Sequence, residues 1–199
     1  MTPLPELLII FLTSFGFNLI PFAGPSNLFI ASNFAIILGA NDPAMLIAIG
    51  FLVALGAALA KSIHYLVTFF VGKHLSETTQ RRLDADAVKI RRWAAPLLFL
   101  AAVTPVPDEP VVIPLGLMKY SPTKFFLIFF MGKLIIGVSG AFLGAWAGNT
   151  VSEWLSPGAT IALSISLTIA VTIILLKVDM RKIAEKYLRR KKDTQKKGD

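Results

Sequence analysis

Apolar residues fill long blocks of this chain, and the polar residues between them fall into a few short clusters. Ala44 to Gly72 is apolar over more than the ~20 residues that a helix needs to cross a hydrocarbon core of about 30 Å, with Lys61 and His64 inside it. Residues 121–147, which carry Lys133, and residues 158–177 read as two further spanning helices. Asn41-Asp42-Pro43 and Ser121-Pro122 each place a capping residue before a proline at a first helical position, which marks where two of these helices begin. Leu4 to Phe17 is apolar but short, about 21 Å at 1.5 Å per residue, a length for an interfacial helix or a partial crossing.

Two blocks do not fit a plain span. Asn18 to Ala40 is interrupted by Pro21, Gly24 and Pro25 and carries Asn27, Ser32 and Asn33. Ala94 to Met118 holds Pro105, Pro107, Pro110 and Pro114 around the adjacent acids Asp108 and Glu109. Each proline removes a backbone donor and crowds the preceding turn. In hydrocarbon the freed carbonyls must find partners in protein or water, so broken backbone at membrane depth implies a sheltered cavity. Both blocks therefore predict helical hairpins that enter and leave on one side, at about 18–40 and 94–118.

Charge settles the sidedness. The chain has 199 residues, 55% hydrophobic and 16% charged, with a net charge of +8 that lies mostly between Lys73 and Arg92 and after Leu176. Basic flanks mark the cytoplasmic side. Residues 74–93 pattern as an amphipathic helix on the inner leaflet or as a soluble loop helix, and 178–199 as a basic cytoplasmic tail attracted to anionic lipid. With both inside, the hairpins enter from opposite faces, each followed by a spanning helix of opposite direction. The expected fold class is thus an all-α integral membrane protein, residues 1–177, with an inverted-repeat architecture of two opposed re-entrant hairpins plus spanning helices. Folds of this kind place substrate near the midplane, between their broken elements. The expected location is the cell membrane, multi-pass, with a cytoplasmic C-terminus. The first block lacks a basic leading region and is not read as a cleaved signal.

Charged side chains inside a bilayer cost about 2.5–3.5 kcal/mol each on insertion scales and mark function or pairing. Asp108 and Glu109 are candidates for a proton- or cation-linked pair; the alternative is a structural ion pair or an interfacial hairpin tip. Lys61 suits a lipid phosphate or neutralisation of the hairpin acids, His64 a proton relay or an interhelical hydrogen bond, and Lys133 is too deep to reach the surface. Asn18, Asn27 and Asn33 suit head-group contacts or satisfaction of broken backbone. Gly140, Gly144 and Gly148 make a smooth helix face for close packing. Cysteine is absent, histidine occurs twice, and no paired-histidine, nucleophile-elbow or phosphate-loop motif occurs, so neither an enzyme nor a metal or other cofactor is expected. Nucleic acid is not an expected partner; membrane lipids and protons are, and a homo-oligomer is compatible with the sequence.

Three segments resemble the DedA family, the wider group with a VTT or SNARE-associated Golgi-type domain: residues 18–27, Lys61 to Tyr65 with Gly72-Lys73 beyond, and Pro105 through Phe125. The resemblance covers roughly residues 15–148 and lies in the order hairpin, helix, hairpin, helix. It implies two opposed re-entrant hairpins and movement of lipids between leaflets, as a flippase or scramblase: polyprenyl phosphates in bacterial members, phospholipids in eukaryotic relatives. The departures concern charge. Where the family sets an acid after Pro-Gly, this chain has Pro25, Ser26 and Asn27; where it sets an acid four residues before a tyrosine, Lys61 precedes Tyr65; and where bacterial members carry two arginines around a proline, Ala102 and Asp108 flank Pro105. Hairpin acids would here face helix bases, so the family's phosphate-binding residues do not transfer. The expected function is a transporter moving an anionic lipid, polyprenyl phosphate or phospholipid, between leaflets, with protons as a candidate coupling ion. A proton- or cation-coupled exporter of a small soluble substrate and a non-transporting membrane scaffold are the alternatives.

Overall fold

The computed structural model describes residues 4–22, 24–76, 92–105 and 107–177. Among these, all regular structure is helical: α1 (Leu4–Leu19), α2 (Asn27–Ile37), α3 (Pro43–Lys73), α4 (Arg92–Val103), α5 (Glu109–Leu117), α6 (Pro122–Ser152) and α7 (Pro157–Lys177). Two of them, over Pro43–Gly72 and Pro122–Val151, are long and apolar enough to cross a membrane. The expected amphipathic helix lies largely outside the described residues, and the basic tail wholly so.

One element order occurs twice. A helix, a break, a short helix, a tight turn and a 31-residue helix run from α1 to α3 and again from α4 to α6. The tight turns share one geometry. Gly39 and Lys119 both adopt left-handed φ, 56° and 53°, and the next residue's N–H returns to the helix, Ala40 to the Ala35 carbonyl at 2.9 Å and Tyr120 to the Leu115 carbonyl at 3.0 Å. This is the left-handed cap that glycine favours; lysine in that conformation costs about 1–2 kcal/mol. Asp42 then caps α3 by accepting from the Met45 N–H at 3.1 Å, with Pro43 in the first turn where its missing donor is harmless.

The long helices α3 and α6 run antiparallel and cross at glycine. A Cβ on Gly50 would lie 2.6 Å from Val138 Cα, and one on Gly137 would lie 2.7 Å from the Gly50 carbonyl oxygen. Each short helix packs on the long helix of the other half. Gly140, Gly144 and Gly148 of α6 lie against Leu28, Ser32 and Ile36 of α2, and the Ser32 hydroxyl donates to the Gly140 carbonyl at 2.7 Å; the glycine face serves close packing, as its spacing suggested. Gly72 of α3 lies against Leu117 of α5. Two apolar cores result. One gathers Ile10, Ile30, Ala35, Ile49, Val53 and Ala141, the other Tyr65, Leu98, Val112, Leu115, Phe125 and Phe129.

The first hairpin differs from expectation. Its first arm is α1, from Leu4, with the break confined to residues 20–26, where the expected boundary had been 18–40. Ser14 explains why α1 belongs to the bundle: its buried hydroxyl donates to the Val53 carbonyl at 2.7 Å, close to Gly56, which lets α1 approach. α7 is held mainly to α2 and α6. Asn33 bonds it through Thr168 at 2.7 Å and Ser164 at 2.9 Å. Interhelical bonds in apolar surroundings average about 0.6 kcal/mol each, so Asn33→Ala is expected to lower stability by about 1 kcal/mol, measured as a small fall in the unfolding midpoint in detergent.

Candidate functional site

Breaks in the two hairpins face each other. After α1 the chain turns at Phe22, whose φ of 62° is left-handed, and its N–H donates to Glu109 Oε1 at 3.0 Å. Glu109 opens α5 next to Asp108, whose side chain does not cap its own helix. Both carboxylates instead meet lysines from the long helices. Lys61 ion-pairs with Glu109 Oε1 and lies 3.3 Å from Asp108 Oδ1; Lys133 is 2.8 Å from Asp108 Oδ2 and 5.0 Å from the Phe129 ring centroid. Asp108 thus bridges the lysines. The four residues are only 2–5% exposed. Removing four charges from water is tolerable only because they compensate one another at close range, and their formal charges sum to zero.

A second polar chain runs beside them. Asn18 donates to the Ser14 carbonyl and to Asn27 Oδ1, both at 2.8 Å. With its oxygen thus engaged, Asn27 keeps Nδ2 as a buried donor without a partner. Among the described residues the buried atoms Asn27 Nδ2 and Thr172 Oγ1 have no hydrogen-bond partner, and both residues line one pocket; Asp108 Oδ1, in the same lining, faces the Lys61 ammonium at 3.3 Å. Native structures leave few unpartnered buried atoms, so an amide donor and a hydroxyl around one space are free to bond a ligand or water. The pocket offers about 60 Å³, bordered also by Gly24, Pro25, Thr104, Pro105 and Pro107, room for a few waters or the end of a head group. The N-termini of α2 and α5 both begin beside it, at Asn27 and Glu109, bringing the positive ends of two helix dipoles to the same place.

An apolar groove of about 450 Å³ adjoins this pocket, walled by Ile30, Phe34 and Ile37 of α2 and Ile165, Ile169 and Ile173 of α7. Phe17, Pro25 and Thr172 line both.

Comparison of the chain with protein-family models, with curated proteins and with solved structures returns no match.

Of the residues singled out from sequence, Asp108, Glu109, Lys61 and Lys133 come together, and Gly24, Pro25, Asn27, Pro105 and Pro107 border the same pocket. His64 does not join them. Its Nε2 lies 2.9 Å from the Leu19 carbonyl, where it donates to the end of α1. This contact is an interhelical hydrogen bond. Pro21 belongs to the turn before Phe22 but does not border the pocket. Pro110 and Pro114 do not break the backbone: Pro110 sits in the first turn of α5, where the missing donor is one the helix does not use, and Pro114 lies inside the helix. Thr172, Phe22 and Phe129 went unnoticed. Thr172 had a signal, since Ser164, Thr168 and Thr172 recur every four residues as a polar stripe along an otherwise apolar helix.

Proposed function

We propose that this chain is an integral membrane protein of DedA-like architecture that carries a lipid with an anionic phosphate in its head group, a polyprenyl phosphate or a phospholipid, between leaflets. The observation that carries the reading is the buried, charge-neutral cluster at the facing breaks, beside a pocket in which Asn27 Nδ2 and Thr172 Oγ1 have no partners. The doubled element order, the antiparallel long helices and the exchange of short helices support an inverted repeat with the site between its halves. Large apolar side chains turned outward, among them Leu8, Phe51, Val67, Leu100, Met131, Leu143 and Leu167, support a hydrocarbon surround, since monomers in water rarely expose such continuous apolar surface. The basic segments at 73–92 and after residue 176 support a cytoplasmic C-terminus.

The site's chemistry follows from its neutrality. The phosphate reaches Lys61 and Lys133 by competing with Asp108 and Glu109, while Asn27 Nδ2 and Thr172 Oγ1 supply hydrogen bonds that the empty protein leaves unmade. A head group of net negative charge then leaves the cluster one charge short, and in low dielectric a proton taken up with it restores balance. Uptake of the anion is thereby linked to uptake of a proton. The lipid's chain stays in an apolar medium throughout, so the protein has only the polar end to shelter.

Thr172→Val tests this economically, because it removes an atom that bonds to nothing in the folded chain. Stability should hold or rise, whereas loss of one head-group hydrogen bond, ~1 kcal/mol, should slow inter-leaflet movement about fivefold in liposomes containing labelled phospholipids or polyprenyl phosphate. The same assay with an imposed pH gradient should show faster movement of net anionic lipids toward the side that the proton gradient drives. If wild-type protein accelerates no lipid in this panel, the proposed function is wrong.

A further inference from the structure

α7 stands outside the scheme that builds the rest of the bundle. The doubled element order ends with α6, and neither apolar core draws a described residue from α7. Glycine lets the long helices approach each other and their short partners closely, whereas Gly158 of α7 meets nothing within 4 Å. Among the described residues of α7 only Thr160 is buried, one turn past the residues 153–156 that join α7 to α6. The far end differs. Along it Ile165, Ile169 and Ile173 face α2 across the apolar groove, and the polar bonds described between the two helices pass through one side chain. Asn33 donates to Thr168 Oγ1 at 2.7 Å and accepts from Ser164 Oγ at 2.9 Å. One turn beyond Thr168, Thr172 borders the polar pocket, the contribution of α7 to a lining otherwise drawn from the rest of the bundle.

We propose that α7 is a gate, hinged at residues 153–156 and latched by Asn33, whose swing opens the pocket sideways. The lever is long. At 1.5 Å per residue Thr172 lies about 24 Å along the helix from Ser156, so a tilt of roughly 10° carries it about 4 Å. The same tilt moves Thr168 about 3 Å, enough to break its bond to Asn33, and Thr160 only about 1 Å, so the buried end stays in place. The motion parts a groove and not a core, which leaves the two Asn33 bonds as the polar contacts that resist it. The inference rests on the proposed function for what passes the gate: a head group enters from the side once Thr172 has moved away, and opening limits the rate.

The test uses the full-length protein in liposomes containing labelled phospholipids or polyprenyl phosphate. An interhelical bond of average strength shifts an equilibrium about threefold, so loss of both in Asn33→Ala should speed lipid movement about eightfold, although it lowers the unfolding midpoint. A side chain that only held the fold would lower both. The chain has no cysteine, so Asn33→Cys with Thr168→Cys supplies a unique pair that a short bis-thiosulfonate joins. Linking should cut lipid movement about tenfold, and a reductant should restore it. Spin labels report the swing without any lipid assay. In the Asn33→Ala background, labels at Ile173→Cys and Met131→Cys, both exposed positions, should show a second, longer distance, whereas labels at Leu163→Cys and Leu143→Cys, nearer the hinge, should show one. Lipid movement that linking leaves undiminished, or that Asn33→Ala slows, would overturn the gate while the proposed function stands. A longer distance at the far pair in a protein that moves no lipid would uphold the gate and remove the function. A single distance at both pairs would overturn the gate.

Discussion

Replacing Asp108 with alanine is expected to lower the stability of the protein by about 3–5 kcal/mol, the cost of leaving buried charge uncompensated. Asp108 is the member of the cluster that holds both lysines. Without it Lys61 keeps Glu109, but Lys133 keeps only the face of Phe129, and a desolvated cation over a ring gains about 2 kcal/mol at best. An exposed pair would cost about 0–1 kcal/mol to break, so unfolding in detergent separates the two cases cleanly. A second substitution sharpens the result. Adding Lys133→Met to Asp108→Ala removes the stranded charge and should recover most of the loss, since buried ion pairs are often replaceable by apolar groups as a unit. On the proposed function, lipid movement should be absent in the double variant, because folding is restored without the chemistry. An Asp108→Ala protein within 1 kcal/mol of wild type would show that the cluster is not buried as described.

Gly50→Val is the other substitution with a large expected effect, about 3 kcal/mol, at the upper end of what overpacking costs. The obstacle is main chain: the new Cβ would fall 2.6 Å from Val138 Cα and from Val138 N, and backbone cannot rotate away as a side chain can. The long helices would have to separate at their crossing. Lys61 and Lys133 ride on those helices, so their shared contact with Asp108 would open as well. Lipid movement should therefore fall together with the unfolding midpoint, whereas Gly158→Ala, which has nothing within 4 Å of the added carbon, should change neither. A fully stable Gly50→Val protein would place the helix crossing elsewhere.

The charges and the breaks were legible in the sequence because both are conspicuous against apolar surroundings: Lys61, Lys133, Asp108 and Glu109 have no other reason to lie in such blocks. What the sequence could not resolve was which proline interrupts a helix. Pro105 and Pro107 lie in the break while Pro110 and Pro114 continue α5; the difference is position relative to a helix start that only the assembled structure defines. Leu4 to Phe17 read as an interfacial helix or a partial crossing, and the helix there packs on α3 through Ser14 and Gly56, with a hydroxyl bond between residues 39 apart. His64 left two readings open, relay or interhelical bond, because residue type and spacing from Lys61 do not say which neighbour a side chain meets; its contact is the Leu19 carbonyl at the end of α1. Thr172 was hidden by its ordinary chemistry. A threonine on an apolar helix is unremarkable until the surrounding atoms are seen to leave its hydroxyl unused.

The exchange of short helices between halves also governs how the chain can be made. Ser32 and Gly140, whose bond ties α2 to α6, are 108 residues apart. At a synthesis rate of roughly 5–20 residues per second, about 5–20 seconds separate their emergence. For that interval the first hairpin has no α6 to receive it, and α2 must wait without the glycine face that it packs on. Assembly therefore ends late, with the arrival of the second half.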